Sequence, residues 1–557
     1  MDNVSKYLVE DLLNQGIDTY FGVSGGPIMY MFDAVLRTEG VKLIESKHET
    51  AAIFEAIGYY KATGKVPVVL VTAGPGVTNC LTGLASAKAL RVPLLLVCGD
   101  VSWEKHNHIL LQRGGPEGID IEQTFAAHTE KVMRMKDPLS ISQQVVDFLQ
   151  TRQGNAPSVI VLPLFISSTI IEKPTINKTI ALKQSNFVSK EVISEVNRLI
   201  DFSVRPLLVI GYGARDYADK VQQLAQHLGI PYVTTPQGKS IVSELDDMSL
   251  RHCGLAASKW IRSYIKEKPD VVLVLGTDLD DCAVGITEFI SDEVNTETKL
   301  IHVDLDPKVF NRKYKTTLGI VTDIGYFIDL MLRDPVKPIR KDLVSQIKET
   351  EPYTVKEFWK DDSFPIAPHR ALADLESSGI DARFVTDIGE HMLFCLHYLT
   401  PLKCNDFSID LGLGSMGSGI CSSIGMCLGD KQPTIVVCGD GGMQMHGMEI
   451  LTAIQHNLPM IFAVFNDARY NMAYHGFRFN FGRQETLGQT NYIDFVKWAE
   501  SLGIQGFLIE KPGQITQELI LNAFRSNKPV ILDIRINKDI KLAGAGRVEV
   551  LKTMGEN

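Results

Sequence analysis

The 557-residue chain has no CxxC pair, no long uninterrupted apolar run and no excess of basic charge. Its nine cysteines (80, 98, 253, 282, 395, 404, 421, 427 and 438) form an odd set without metal-site spacing. They read as reduced, mostly buried thiols of a cytoplasmic protein rather than a disulfide framework. The longest apolar stretches, such as "SVIVLPLFI", are too short and too interrupted to span a bilayer. The opening "MDNVSKYLVEDLLNQGIDTYFG" mixes acids into an amphipathic helix, which is unlike a secretory signal. With 56 basic against 66 acidic residues the net charge is -10, which argues against nucleic acid or an anionic membrane as partner.

What is present is α/β patterning. Apolar content of 45% with 22% charge suits a globular chain too long for one core. Short β-branched runs ("VPVVLVT", "RVPLLLVCGD", "PLLVIG", "DVVLVLG", "TIVVCGD", "MIFAVFND") alternate with helical patterns. Runs that are apolar throughout and end in Gly or Asp suit parallel strands buried on both faces, so the expected class is doubly wound α/β. Polar, Lys/Pro-containing stretches at 172–186 and 333–362 divide the chain, giving expected domains at 1–175, 187–335 and 360–541. The outer two echo each other. Pro67 and Pro93 bracket the turn "TAGPG", Pro433 and Pro459 bracket "GDGG", and both spacings are 26 residues.

The stretch Cys438–Asp467, "CGDGGMQMHGMEILTAIQHNLPMIFAVFND", carries the strongest chemical signal. It reads as strand, turn, crossover helix over Met445–Gln455, and second strand. Right-handed crossover brings both strand ends to one side of the sheet, so Asp440 and Asp467 stand roughly 5 Å apart if the strands are neighbours. Either the acids cap ordinary turns, or they hold a cation between them. Gly441 and Gly442 expose amides where a phosphate is favoured, and Mg²⁺ completes its shell with phosphate oxygens.

"GDGG", the 24 residues Met443–Asn466 and the following Asp467 resemble the cofactor-binding motif of thiamine diphosphate (ThDP) enzymes. The resemblance runs from Val4 to about Lys541, and the nearest subfamily is the acetolactate (acetohydroxyacid) synthase large subunit. It implies three domains in the order pyrimidine-binding, middle and diphosphate-binding. It further implies Asp440, Asp467 and the Arg469 carbonyl as Mg²⁺ ligands, with Gly439, Gly441 and Gly442 beside the diphosphate. In "LGLGSMGSGICSSIG" it implies Met416 as the wedge that bends the cofactor and the Gly414 carbonyl as a contact to its amino group. Glu49, in "ESKHETAAIFEAIGYYKATGK", becomes the acid that reaches N1′ of the aminopyrimidine and activates the cofactor. On local grounds Ser46 to Glu49 equally fits an S-x-x-E capping box.

Substrate-side residues implied by the resemblance are Gly25, Gly26, Gln112, Glu117, Tyr470 and Asn471. The reaction implied is decarboxylation of a 2-oxo acid, pyruvate first, followed by transfer of the acyl unit to a second carbonyl compound. Asn471 and Gly476 stand where the subfamily usually has glycine and an acceptor-selecting tryptophan, which leaves the acceptor open. Competing readings are a simple 2-oxo-acid decarboxylase, with His106 and His108 nearest to a proton-donor pair, and a non-catalytic scaffold. In the middle domain, Gly211-x-Gly213, "GTDLDD", Asp304 and Asp306 leave FAD, ADP or no nucleotide open. The resemblance further implies a homodimer or homotetramer, with Glu49 of one chain facing Asp440 of another.

Overall fold

The computed structural model describes residues 1–101, 111–112, 118–150, 155–174, 187–285, 298–482 and 488–544. They form three six-stranded sheets, each parallel throughout and covered by helices. The first contains β1 (Thr19–Gly22), β2 (Lys42–Glu45), β3 (Val68–Val71), β4 (Leu95–Asp100), β5 (Lys131–Arg134) and β6 (Ser158–Pro163). The second contains β7 (Pro206–Ile210), β8 (Tyr232–Thr234), β9 (Ser249–His252), β10 (Val271–Leu275), β11 (Lys299–Asp304) and β12 (Leu318–Val321). The third contains β13 (Arg383–Thr386), β14 (Phe407–Ile409), β15 (Thr434–Gly439), β16 (Met460–Phe465), β17 (Gly506–Ile509) and β18 (Val530–Ile534). Central strands such as β3, β4 and β16 are buried at every residue, which is why their sequences are apolar without alternation.

Spatial order separates the three. The first sheet runs β2-β1-β3-β4-β6-β5 and the third β14-β13-β15-β16-β18-β17. Counted within each domain, these are the same permutation, so the echo between "TAGPG" and "GDGG" is a shared topology. The middle sheet runs β9-β8-β7-β10-β11-β12, the 3-2-1-4-5-6 order of dinucleotide-binding folds. Among the described residues no helix is long and apolar enough to cross a membrane.

Helix α1 (Glu49–Thr63) follows β2, α2 (Glu390–Tyr398) follows β13, and α3 (Ser418–Asp430) follows β14. The first and third domains of the chain meet where α1 crosses α3. A Cβ on Gly58 would stand 1.8 Å from the Ser422 carbonyl oxygen, and one on Gly425 would stand 1.8 Å from that of Glu55. Glycine is therefore obligatory at both points, since the backbones themselves touch. Buried polar groups complete the contact: Lys61 pairs with Asp410, and the Lys47 amide donates to Glu449 Oε1 at 2.8 Å. Glu55 is buried beside Glu449, and burial first, then the Glu449 charge, pushes its carboxyl well above the ordinary range.

Candidate active site

Strands β15 and β16 are hydrogen-bonded neighbours, paired up to Gly439 and Phe465, so both expected acids leave the same edge of the sheet. Helix α4 (Asp440–His446) starts at Asp440 itself, and a 3₁₀ turn at Gly447–Glu449 joins it to a helix over Ile450–Gln455. The expected start at Met445 is thus five residues late: the strand hands directly to a helix whose first turn favours an acid. Asp440 and Asp467 are buried. Burial pushes the Asp440 carboxyl up to about 6. Burial and then the Asp440 charge push Asp467 up to about 8. Among the described residues neither makes an ion pair; Thr490 donates to Asp440 at 3.2 Å, the Arg469 amide donates to Asp467 at 3.1 Å, and Asn471 Nδ2 also donates to Asp467. Two buried carboxylates without an ion pair, of which only Asp467 feels a nearby cation (Arg469), suit a divalent cation.

A cavity of about 900 Å³ opens over these strand ends. Gly414, Met416, Gly439, Asp440, Gly441, Asp467, Arg469, Tyr470 and Asn471 all line it. Gly441 keeps its own amide close to the space: a Cβ there would stand 2.3 Å from the Tyr470 ring and 3.0 Å from Met416 Cε. Gly442 is not among the lining residues, and a Cβ on it would stand 2.2 Å from Asp387 Oδ2. Asp387 accepts from the amides of Gly417 and Gly419 at 2.8 and 3.0 Å and so shapes the loop that carries Met416. His391 also lines the cavity, and burial pulls its imidazole down to about 4. Its buried Nε2 has no hydrogen-bond partner among the described residues. An unpaired imidazole nitrogen beside two unneutralised acids fits a cation-bound diphosphate. Among the described residues no group of three or more His, Cys, Asp or Glu could hold a metal by itself.

The first-domain residues gather elsewhere. Glu49 opens α1 and accepts from Asn79 Nδ2 at 2.9 Å. The capping box does not form: His48 is the N-cap, accepting from the Thr50 amide, while Ser46 Oγ turns to Glu55 at 2.5 Å. The capping box therefore does not account for Glu49, which stands in the first turn of α1, where an acid is favoured. Gly25 packs on Thr72, and Gln112 lies against Gly74 with φ 69°. Gly26 has open space where a side chain would begin. Glu49, Gly25, Gly26 and Gln112 are all absent from the cavity wall within this one chain. Glu117, His106 and His108 lie outside the described residues.

The middle domain offers little to a dinucleotide at its switch point between β7 and β10. The Gly211 and Gly213 amides, which a pyrophosphate would need, donate to the Leu275 and Gly276 carbonyls at 2.8 and 2.9 Å. Asp304 and Asp306 face Arg91 of the first domain at 3.2 and 3.6 Å. These groups are engaged within the chain, and no chemistry is routed through a flavin.

Sequence reasoning missed Asp387, Glu390 and His391, which follow β13 as "DIGEH". The signal was the same as for "GDGG": an apolar run ending in Asp and Gly. It also missed Glu390 bonded to His475 at 2.6 Å and the wall supplied by α5 (Asn471–Phe481).

Comparison with known proteins assigns all three domains. Family profiles described as the thiamine pyrophosphate enzyme N-terminal TPP binding domain, central domain and C-terminal TPP binding domain match residues 2–123, 193–331 and 387–534. The chain belongs to the thiamine pyrophosphate (ThDP) enzyme family. It is similar to the probable acetolactate synthase large subunit of Methanocaldococcus jannaschii, at 27% identity over 96% of this chain and 92% of that protein. It is also similar to the acetolactate synthase large subunit of Haemophilus influenzae, at 27% identity over 96% of this chain and 94% of that protein. The mitochondrial acetolactate synthase catalytic subunit of Saccharomyces cerevisiae is 26% identical over 95% of this chain and 80% of its own length.

Proposed function

We propose that the chain is a carboligase that decarboxylates a 2-oxo acid, pyruvate first, and joins the acyl unit to a second carbonyl compound. The observation that carries this reading is the buried, unneutralised pair Asp440 and Asp467 at adjacent strand ends of a ThDP-enzyme domain. Asp440, Asp467 and the Arg469 carbonyl would hold Mg²⁺, and Gly439, Gly441 and His391 would face the diphosphate. Met416 and Gly414 would orient the rings. The bound cofactor supplies a nucleophilic carbon and an electron sink.

Glu49 would exchange a proton with N1′ of the cofactor, with Asn79 holding the carboxyl in place. Because Glu49 does not line the cavity of its own chain, a second copy is assigned to supply it, and the working unit is a homodimer or a homotetramer built from such dimers. The cytoplasm is the assigned compartment, on the strength of nine cysteines that form no disulfide, seven of them buried and Cys282 and Cys404 half-buried. The deciding experiment adds pyruvate to protein loaded with ThDP and Mg²⁺, with and without a carbonyl panel. A ligated product with CO₂ release supports the carboligase. Free acetaldehyde as the sole product would replace it with a decarboxylase, and no CO₂ from several donors would remove catalysis.

A further inference from the structure

We propose that the acceptor end of the cavity takes an uncharged carbonyl compound with an apolar body, in preference to a second small 2-oxo acid. This rests on the carboligase reading and names the substrate class that it leaves open.

The first observation is a glycine without a structural reason. Gly476 lies in the interior of α5, where glycine costs about 1 kcal/mol relative to alanine. At Gly58 and Gly425 a touching backbone explains that cost. At Gly476 a Cβ would meet nothing within 4 Å, and its φ lies outside the left-handed region. What the missing side chain leaves open is the cavity, whose wall includes Gly476. Ala473 and Asn480 share that helix face at i−3 and i+4, and Met472, Phe477 and Phe481 line the same space. This stretch of wall is apolar and aromatic, with one amide at its edge, and it opens to solvent at Ala473, Asn480 and Phe481.

The second observation is charge. Among the described lining residues the charged side chains are Glu390, Asp440, Asp467 and Arg469. Arg469 is committed: it bonds Asn471 and the Lys538 carbonyl and stacks 3.9 Å over the Tyr474 ring. The two aspartates are assigned to the cation, and Glu390 is held by His475. An acceptor carboxylate would find no uncommitted cation among the described lining residues of this chain. The donor's carboxylate is a different case, because it leaves as CO₂ and an apolar wall favours that loss. With an aldehyde acceptor the balance is pyruvate plus R–CHO plus one proton giving CO₂ and CH₃–CO–CH(OH)–R. One C–C bond breaks, one forms, and the aldehyde oxygen takes the proton.

The test uses the full chain loaded with ThDP and Mg²⁺, with pyruvate as donor. Benzaldehyde and 2-oxobutyrate compete at equal concentration as acceptors, and products are counted by mass spectrometry. At least a tenfold excess of the benzaldehyde adduct is expected. Acetolactate or the 2-oxobutyrate adduct as main product, with CO₂ release intact, would overturn this inference and leave the carboligase standing. Absence of CO₂ and of every adduct would overturn the carboligase reading itself, and this inference with it.

The second arm is Gly476→Trp, checked for folding by its unfolding midpoint and for ThDP affinity by fluorescence titration. The acceptor KM for benzaldehyde should rise at least tenfold, while that for acetaldehyde changes less than threefold. Equal effects on both acceptors would show that the acceptor does not pass Gly476 and would overturn the assignment.

Discussion

The first and third domains share one strand order and differ in what stands at the ends of their third and fourth strands. In the first domain β4 ends on Asp100, which is fully buried, and Arg134 donates to it at 2.8 Å while the Val101 amide adds a second bond. In the third domain Asp440 and Asp467 are almost as buried, yet among the described residues neither has an ion-pair partner. Topology delivers acids to equivalent edges in both. The edge without an ion pair is the one proposed to take a cation, because an isolated buried carboxylate is costlier than a paired one. The group proposed from the first domain is a different one, Glu49, which opens the helix after its second strand.

Separating these two roles gives the largest expected effect. Glu49→Gln should lower turnover by about 10²–10⁴, the span of general acid–base contributions, with ThDP affinity changed less than about threefold. Pre-steady-state turnover and a fluorescence titration measure the two quantities. Near-wild-type turnover would remove Glu49 from the reaction and leave only the third domain as a site.

The contrast between the acids is sharpened by exchanging them. Asp440→Asn should weaken Mg²⁺-dependent ThDP binding at least about a hundredfold, since even outer-shell changes cost 10–100-fold. Asp100→Asn should leave that binding unchanged and cost about 1–3 kcal/mol of stability in urea, the value of a buried charged hydrogen bond. If Asp100→Asn also impaired cofactor binding, the two edges would not be functionally distinct.

These differences were only partly legible in the residues. Strands buried on both faces announce themselves, and "GDGG" with a distant Asp467 correctly implied two acids at the ends of neighbouring strands. Three things were hidden. Strand β13 begins with Arg383, buried and paired with Asp430, so a charged head obscured the run that leads to Asp387 and His391. The Ser46 hydroxyl had a stronger use than capping, since it bonds the Glu55 carboxyl across the turn. The alcove on α5 is made of Ala473, Gly476 and Asn480, residue types that carry no chemical signature; only the surrounding space gives them meaning.

The domain contact yields a pH dependence. Glu55 titrates near 4.3 in an unfolded chain and well above its usual range when buried beside Glu449. With the folded value raised, its share of stability is complete below about pH 4.3 and is lost as pH rises through the folded value. Stability should therefore fall as pH rises above about 4.3 toward that raised folded value. Glu55→Gln, which keeps the Ser46 contact without a charge, should flatten that slope. Urea midpoints at pH 5.5 and 8 decide it, and equal slopes in the two proteins would place the titration elsewhere.

The smallest effect concerns the helix glycines. Gly58→Ala forces a methyl to 1.8 Å from the Ser422 carbonyl, so the α1–α3 crossing must open, at about 1–3 kcal/mol by analogy with overpacked cores. Gly476→Ala meets nothing within 4 Å and gains helix propensity, so it should stabilise the protein by up to about 1 kcal/mol. Opposite signs in the same unfolding assay would establish that glycine serves backbone packing at the domain contact and open space at the cavity. A loss of stability on Gly476→Ala would mean that α5 packs more tightly than its open face indicates, and the acceptor alcove would lose its first support.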